Sequence, residues 1–184
     1  MRYVTLITTG GTIEKTFDEA TGQLINRTGA GPGGSVVRRM LRRLRLEDTT
    51  VRVIELMSKD SLHMTDDDRE RIVEAVRVAG GSAAHPTETT GVVILHGTDT
   101  LEKTGERLCA ACVGPHALRV PVVLTGAMRP FEMTRSDALQ NLTESIFAAG
   151  VLPPGVYAAA HGRVLKFPGV KKDRERGTFV GPVA

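Results

Sequence analysis

Short, wholly apolar runs bounded by turn residues recur along this chain and constrain its fold more than any other feature. Val92-Val93-Ile94-Leu95 carries no polar alternation. A strand built from it must be covered on both faces, as in a parallel sheet packed between helices. Tyr3 to Thr8, Val51 to Met57, Val120 to Thr125 and Val156 to Ala160 also read as strands, the first with β-branched and apolar residues suited to burial on both faces. Between them lie segments of helical period. Ser35 can cap a helix through about Leu46, with Val36, Val37, Met40, Leu41 and Leu44 opposite five arginines. Thr65 opens a second helix, its positive end complemented by Asp66, Asp67 and Asp68 and its C-terminus set by Gly80-Gly81. Leu101 to Val113 and Ser136 to Ala149 complete the set, and the stretch from Gly162 to Phe167 turns back as a hairpin. Strands alternating with helices predict an α/β protein, a three-layer α/β/α domain with a mostly parallel sheet of flavodoxin-like or Rossmann-like type.

The 184 residues, 41% of them hydrophobic, suffice for one domain with a substantial core, so residues 1–184 are expected to form a single domain. The 24 basic residues barely outnumber the 21 acidic ones, a balance that does not point to nucleic acid. The exception to weigh is the arginine-rich helix over 35–46, which with the basic tail Lys171–Arg176 makes a nucleic-acid-binding module the alternative from another class. With aromatics at only 4%, base stacking has little to build on. No apolar run approaches the roughly 20 residues of a membrane span, and the N-terminus is a charged strand rather than a signal core. Cytoplasmic residence without a membrane partner is the expectation. Cys109 and Cys112 fall inside a predicted helix with no second ligand pair and read as structural thiols. No metal and no cofactor are assigned.

Two predicted strands end alike. Thr9-Gly10-Gly11-Thr12-Ile13 follows the first strand and His96-Gly97-Thr98-Asp99-Thr100 the third, each placing a threonine hydroxyl just beyond a carboxyl end, where ligands bind in such sheets. A hydroxyl is a weak nucleophile until a base or relay takes its proton. Asp99 can pair with a lysine, and Lys172, in the basic segment Val170–Arg174, can fold back over the strand ends. The bland alternatives are a helix-capping pair for Asp99 and Glu102, and for Thr12 the completion of a Gly-Gly turn. Residues 10–34 hold seven glycines and one proline, which predicts a long mobile loop over the site. The Gly29–Ser35 stretch lacks the ending of a nucleotide loop. His96 reads as a hydrogen-bonded scaffold residue.

With these motifs the chain resembles the bacterial asparaginase and glutaminase family. The likeness continues through Ser58-Lys59-Asp60-Ser61, Leu124-Thr125-Gly126-Ala127-Met128-Arg129-Pro130, and Ser136-Asp137-Ala138 with Asn141-Leu142. It spans nearly the whole chain as the family's N-terminal domain and points to a short-chain, single-domain form. The resemblance implies hydrolysis of L-asparagine to L-aspartate and ammonia through an acyl-threonine, with mixed asparaginase-glutaminase specificity, an amidotransferase-like relative, or an amide-binding relative of weak turnover as alternatives. By this resemblance Thr12 is the nucleophile, and Thr98, Asp99 and Lys172 form a proton-relay triad in which Thr98 is the alternative nucleophile. Asp99 also holds the substrate α-amino group, and Ser58 its α-carboxylate. Gly11, Gly97 and Ala127 line the pocket, and Lys59 stands where long members often carry glutamine. Members usually place a tyrosine in the loop beside the nucleophile. Here the two tyrosines are Tyr3 and Tyr157, and the loop has Phe17 instead. A homo-oligomer, dimer or tetramer, is expected.

Overall fold

A computed structural model of the chain describes residues 1–26, 35–82 and 87–182. β1 (Arg2–Gly10) is followed by a 3-10 turn and a small antiparallel ribbon, β2 (Lys15–Asp18) and β3 (Gln23–Asn26). α1 (Val36–Leu41) leads to β4 (Thr49–Lys59), then α2 (Asp66–Val76), β5 (Gly91–Leu95), α3 (Leu101–Ala111), β6 (Pro121–Thr125), α4 (Ala138–Val151), β7 (Gly155–Ala160) and β8 (Arg163–Lys166). A second ribbon, β9 (Lys171–Asp173) with β10 (Thr178–Val180), closes the described chain.

Six strands form the central sheet in the order β4-β1-β5-β6-β7-β8. All neighbours are parallel except the β7–β8 hairpin. Successive side chains of a strand face opposite ways, and the core divides accordingly. Val92 and Ile94 of β5 pack with Ile72, Val76, Leu101 and Leu108 of α2 and α3. Val93 and Leu95 pack with Val37, Met40, Leu142 and Ile146 of α1 and α4. All four β5 side chains are fully buried, which is why that segment carries no polar residue. The fold is therefore the expected α/β/α sandwich.

Strand order fixes where a ligand can sit. The chain runs from β1 outward to β4, then returns to the other side of β1 for β5 and continues away. The order reverses between β1 and β5, and the crevice outside their carboxyl ends is the position this topology offers a ligand. Thr8 of β1 lies opposite Leu95 of β5, so the two threonine-bearing motifs emerge side by side.

Three expectations need correction. The helix predicted through Leu46 stops at Leu41, where Arg43 N–H to Met40 O and Leu44 N–H to Leu41 O take over as tight turns. Nor do all its arginines stand free. Arg39 pairs with Glu132 at 2.6 Å, Arg38 approaches Glu55 at 3.8 Å, and the Arg43 guanidinium lies 4.8 Å from the Phe131 ring centre. Residues 10–26 are not irregular: they form the turn and the β2–β3 ribbon, in which Gly22 supplies the positive φ of +69° at the bend. The ribbon is anchored by Lys15 to Asp60 at 2.7 Å and by Phe17 N–H to Glu132. Residues 27–34 of the predicted loop, including most of Gly29–Ser35, lie outside the described residues.

Candidate active site

β1 ends in a backbone that only glycine tolerates well. Gly10 and Gly11 have φ of +95° and +83°, and a Cβ on Gly11 would stand 2.5 Å from both Cα and N of Gly97. The missing side chain lets two strand ends touch. Gly11 N–H donates to Lys59 O at 3.0 Å, Glu14 N–H to Gly11 O at 3.1 Å, and Gly10 N–H to the Glu14 carboxylate at 3.1 Å. Thr12 is the first residue of the 3-10 turn so formed and is partly exposed. Thr9 Oγ1 donates to Leu95 O at 2.8 Å, tying β1 to β5 just below.

On β5 the continuation is Gly97-Thr98-Asp99. Lys172 of β9 reaches this corner, its Nζ donating to Thr98 Oγ1 at 2.8 Å and to Asp99 Oδ1 at 2.9 Å. Thr98 is buried and the Lys172 side chain nearly so. Arg174 also donates to Asp99 Oδ1, at 3.0 Å. Burial by itself would raise the Asp99 carboxyl, but the Lys172 ammonium and the Arg174 guanidinium hold it below its ordinary 3.8. Asp99 is thus a carboxylate near neutral pH. The capping alternative for Asp99 and Glu102 does not occur: the N-cap of α3 is Thr100, with no side-chain cap hydrogen bond, and Glu102 accepts the backbone N–H of Lys172 at 2.9 Å. Glu102 therefore seats the lysine through its backbone, and Arg174 adds a second cation on Asp99, roles that sequence alone assigns to neither.

His96 is a scaffold residue, as expected. It is fully buried; its Nδ1–H donates to Gly97 O at 2.8 Å, leaving Nε2 to accept from the Thr104 hydroxyl at 2.8 Å. Burial lowers its pKa to about 4, so the imidazole is neutral with both nitrogens engaged.

The remaining predicted residues divide. Ser58 Oγ is buried without a hydrogen-bond partner among the described residues, which leaves it able to meet a ligand. Lys59 pairs its ammonium with Asp68 at 2.7 Å, and its carbonyl accepts the Gly11 N–H, so it supports the turn. Ala127 is fully buried just beyond β6, next to Met128, whose N–H donates to the Asp137 carboxylate at 3.0 Å. Sequence reading misses Ser61. It is 1% exposed, its Oγ is likewise unpartnered among the described residues, and it would lie 2.5 Å from a Cβ placed on Gly97. The available signal is Asp60, whose carboxylate accepts Leu62 N–H and opens the turn that presents Ser61. Neither tyrosine is near: Tyr3 lies at the start of β1, and Tyr157, near the start of β7, donates to Pro153 O. The Cys109 thiol is pushed up to about 11 and the Cys112 thiol upward, both chiefly by burial, which leaves them unreactive.

The arrangement pairs two hydroxyls on touching strand ends with a lysine, a carboxylate and two unpartnered serines. Comparison with known proteins agrees with it. Residues 3–178 match the family model described as Asparaginase, N-terminal. The chain belongs to the asparaginase family, of which it carries the N-terminal domain. It is 32% identical over 151 residues to the D component of the glutamyl-tRNA(Gln) amidotransferase of Thermoplasma acidophilum, covering 81% of this chain and 33% of that protein. It is 40% identical over 78 residues to the L-asparaginase of Thermococcus kodakarensis, covering 42% of this chain and 23% of that one. The solved structure of the thermostable L-asparaginase from Thermococcus kodakarensis superposes with a TM-score of 0.78 at 26% identity, over 97% of this chain and 51% of that chain. The chain thus spans about a third or less of these two curated relatives and half of the solved one.

Proposed function

We propose that this chain hydrolyses the side-chain amide of L-asparagine to L-aspartate and ammonia, without a cofactor, through an acyl-threonine. The observation that carries the proposal is the contact of Lys172 with both Thr98 and Asp99, on a strand end that touches the Gly10-Gly11 turn presenting Thr12. In this reading Lys172 reacts as the free amine: Thr12 Oγ attacks the amide carbon while its proton passes to Thr98 Oγ1 and the Thr98 hydroxyl proton passes to Lys172 Nζ. The C–N bond then breaks, and the leaving nitrogen takes up a proton to depart as ammonia. Water next attacks the ester, releasing aspartate and restoring the Thr12 hydroxyl. Asp99 holds the substrate ammonium, while Ser58 and Ser61, both without partners among the described residues, take the α-carboxylate. Gly11, Gly97 and Ala127 contribute backbone to the pocket, where donors aimed at the tetrahedral oxyanion lower the barrier. Lys59 acts by holding Gly11. The β2–β3 ribbon, fixed through Lys15 and Glu132, covers the site. L-glutamine is the second substrate in this reading. The active form is a homo-oligomer, a dimer or tetramer, working in the cytoplasm.

A second reading is favoured by the similarity to the glutamyl-tRNA(Gln) amidotransferase component: the same chemistry liberates ammonia for use by a partner protein. Ammonia release from asparagine and from glutamine by the purified chain, against Thr12→Ala, tests both. Release from asparagine in the chain alone, abolished in the variant, supports the first reading. Release that needs a partner supports the second, and equal rates in the two proteins would overturn the role of Thr12.

A further inference from the structure

His161, which the proposed chemistry does not use, sits between the two halves of the site. It follows β7 with φ of +54°. Its Nε2 lies 2.9 Å from Asp137 Oδ2 and its Nδ1 2.9 Å from Thr178 Oγ1, while its backbone N–H donates to Asn141 Oδ1 at 3.0 Å. Facing a carboxylate, Nε2 donates to Asp137, and Nδ1 shares a hydrogen bond with the Thr178 hydroxyl.

Each partner leads to a different site element. Asp137 accepts the N–H groups of Met128 and Arg129 at 3.0 Å and an Asn141 amide N–H at 2.9 Å, and the same Asn141 amide nitrogen donates to Gly126 O at 2.9 Å. Asp137 and Asn141 therefore hold the backbone on both sides of Ala127. Thr178 pairs with Asp173 across the β9–β10 ribbon, one position from the Phe179–Lys172 pair. It therefore fixes the ribbon that carries Lys172. Among the described residues that ribbon makes no strand pairing with the central sheet, so side-chain contacts such as this one must set its place.

We propose that His161 is a positioning residue that clamps the Ala127 strand end to the Lys172 ribbon, using one ring nitrogen for each. Its effect on turnover rests on the function proposed above; its effect on order does not. The two nitrogens can be tested separately, because an asparagine amide occupies about the place of Nδ1 and a glutamine amide about that of Nε2. Asparagine also tolerates the positive φ.

The test combines hydrogen–deuterium exchange of peptides spanning 126–130 and 171–180 with asparagine kinetics, on wild type, His161→Ala, His161→Asn and His161→Gln. His161→Ala is expected to raise exchange in both peptides and to lower kcat roughly 10- to 100-fold, the scale of an ångström of misplacement, with KM changed by less than about threefold. His161→Asn should restore protection in 171–180 alone and His161→Gln in 126–130 alone, with neither regaining full kcat. Thr178→Val should copy the loss in 171–180 while sparing 126–130. Exchange in His161→Ala that rises in only one peptide, or in neither, would overturn the clamp. So would equal rescue of both peptides by one amide. A wild type without turnover would count against the proposed reaction, and the exchange pattern would still decide the clamp.

Discussion

Replacing Glu14 by glutamine should make the protein more stable at pH 8 and leave it little changed at pH 4.5. Glu14 lies two residues after Thr12, is 9% exposed, and accepts the Gly10 N–H. Burial pushes its carboxyl from the ordinary 4.5 up to about 7; the Gly10 N–H opposes that push and the nearby Glu55 carboxylate adds to it. Below pH 4.5 the group is protonated in both folded and unfolded chains and contributes nothing to the pH dependence. Between 4.5 and 7 the folded chain holds a proton that the unfolded chain has released, so stability falls as pH rises. Above 7 the full penalty is present. At about 1.4 kcal/mol per pH unit it amounts to roughly 3 kcal/mol.

Glutamine keeps an acceptor for Gly10 and cannot ionise. Urea unfolding of wild type and Glu14→Gln at pH 4.5, 5.5, 6.5, 7.5 and 8.5 reads the difference directly. A gap that widens between pH 4.5 and 7 and then levels off is expected. His96 works in the opposite sense. Its pKa lies below the unfolded value, at about 4 against 6.5, so its contribution is present above pH 6.5 and is lost as pH falls toward 4. The two buried groups flatten the wild-type profile, and Glu14→Gln should expose the His96 slope as a loss of stability on acidification. A stability gap independent of pH would overturn this, because it would mean that the Glu14 carboxyl is solvated in the folded chain.

Two further outcomes follow from the geometry of the turn and its neighbours. Gly11→Ala must fit a methyl 2.5 Å from the Gly97 backbone at a φ of +83°; a loss of at least about 2 kcal/mol in chemical unfolding, with activity reduced further, is expected, and a wild-type midpoint would show that the strand ends are not in contact. Ser61→Ala removes a buried hydroxyl with no partner among the described residues. The melting temperature should therefore hold while KM for asparagine rises about tenfold, the value of one good hydrogen bond. An unchanged KM would remove Ser61 from the pocket.

The parts of this fold that are legible in the sequence are those whose residues face one environment. Val92–Leu95 meets helices on both sides, so its composition alone defines a buried parallel strand, and the capping box of Thr65 with Asp68 marks the start of α2. Thr98 and Asp99 stand out because a polar pair at a buried strand's end has little other reason to be there. The misses involve residues whose partners are distant in sequence. Arg174 acquires meaning only when Asp99 meets it, 75 positions away, and His161 only through Asp137 and Thr178. β9 and β10 are three residues each, too short for periodicity to register. The support Lys59 gives the turn shows only through Asp68 and Gly11, partners that spacing does not reveal. The β2–β3 ribbon reads as loop because glycine content outweighs two four-residue strands, although Thr21-Gly22 carries a usable turn signal.

Everything in the proposed chemistry turns on whether Thr12 carries the acyl group. Rapid acid quench of the protein with L-asparagine, followed by peptide mass mapping, measures it directly, and Lys172→Met, with its proton acceptor removed, should slow turnover by about two to four orders of magnitude. An aspartyl ester is expected on the peptide containing Thr12 during turnover, absent in Thr12→Ala. Acylation of Thr98 instead, or ammonia release without any acylated threonine, would be incompatible with that role.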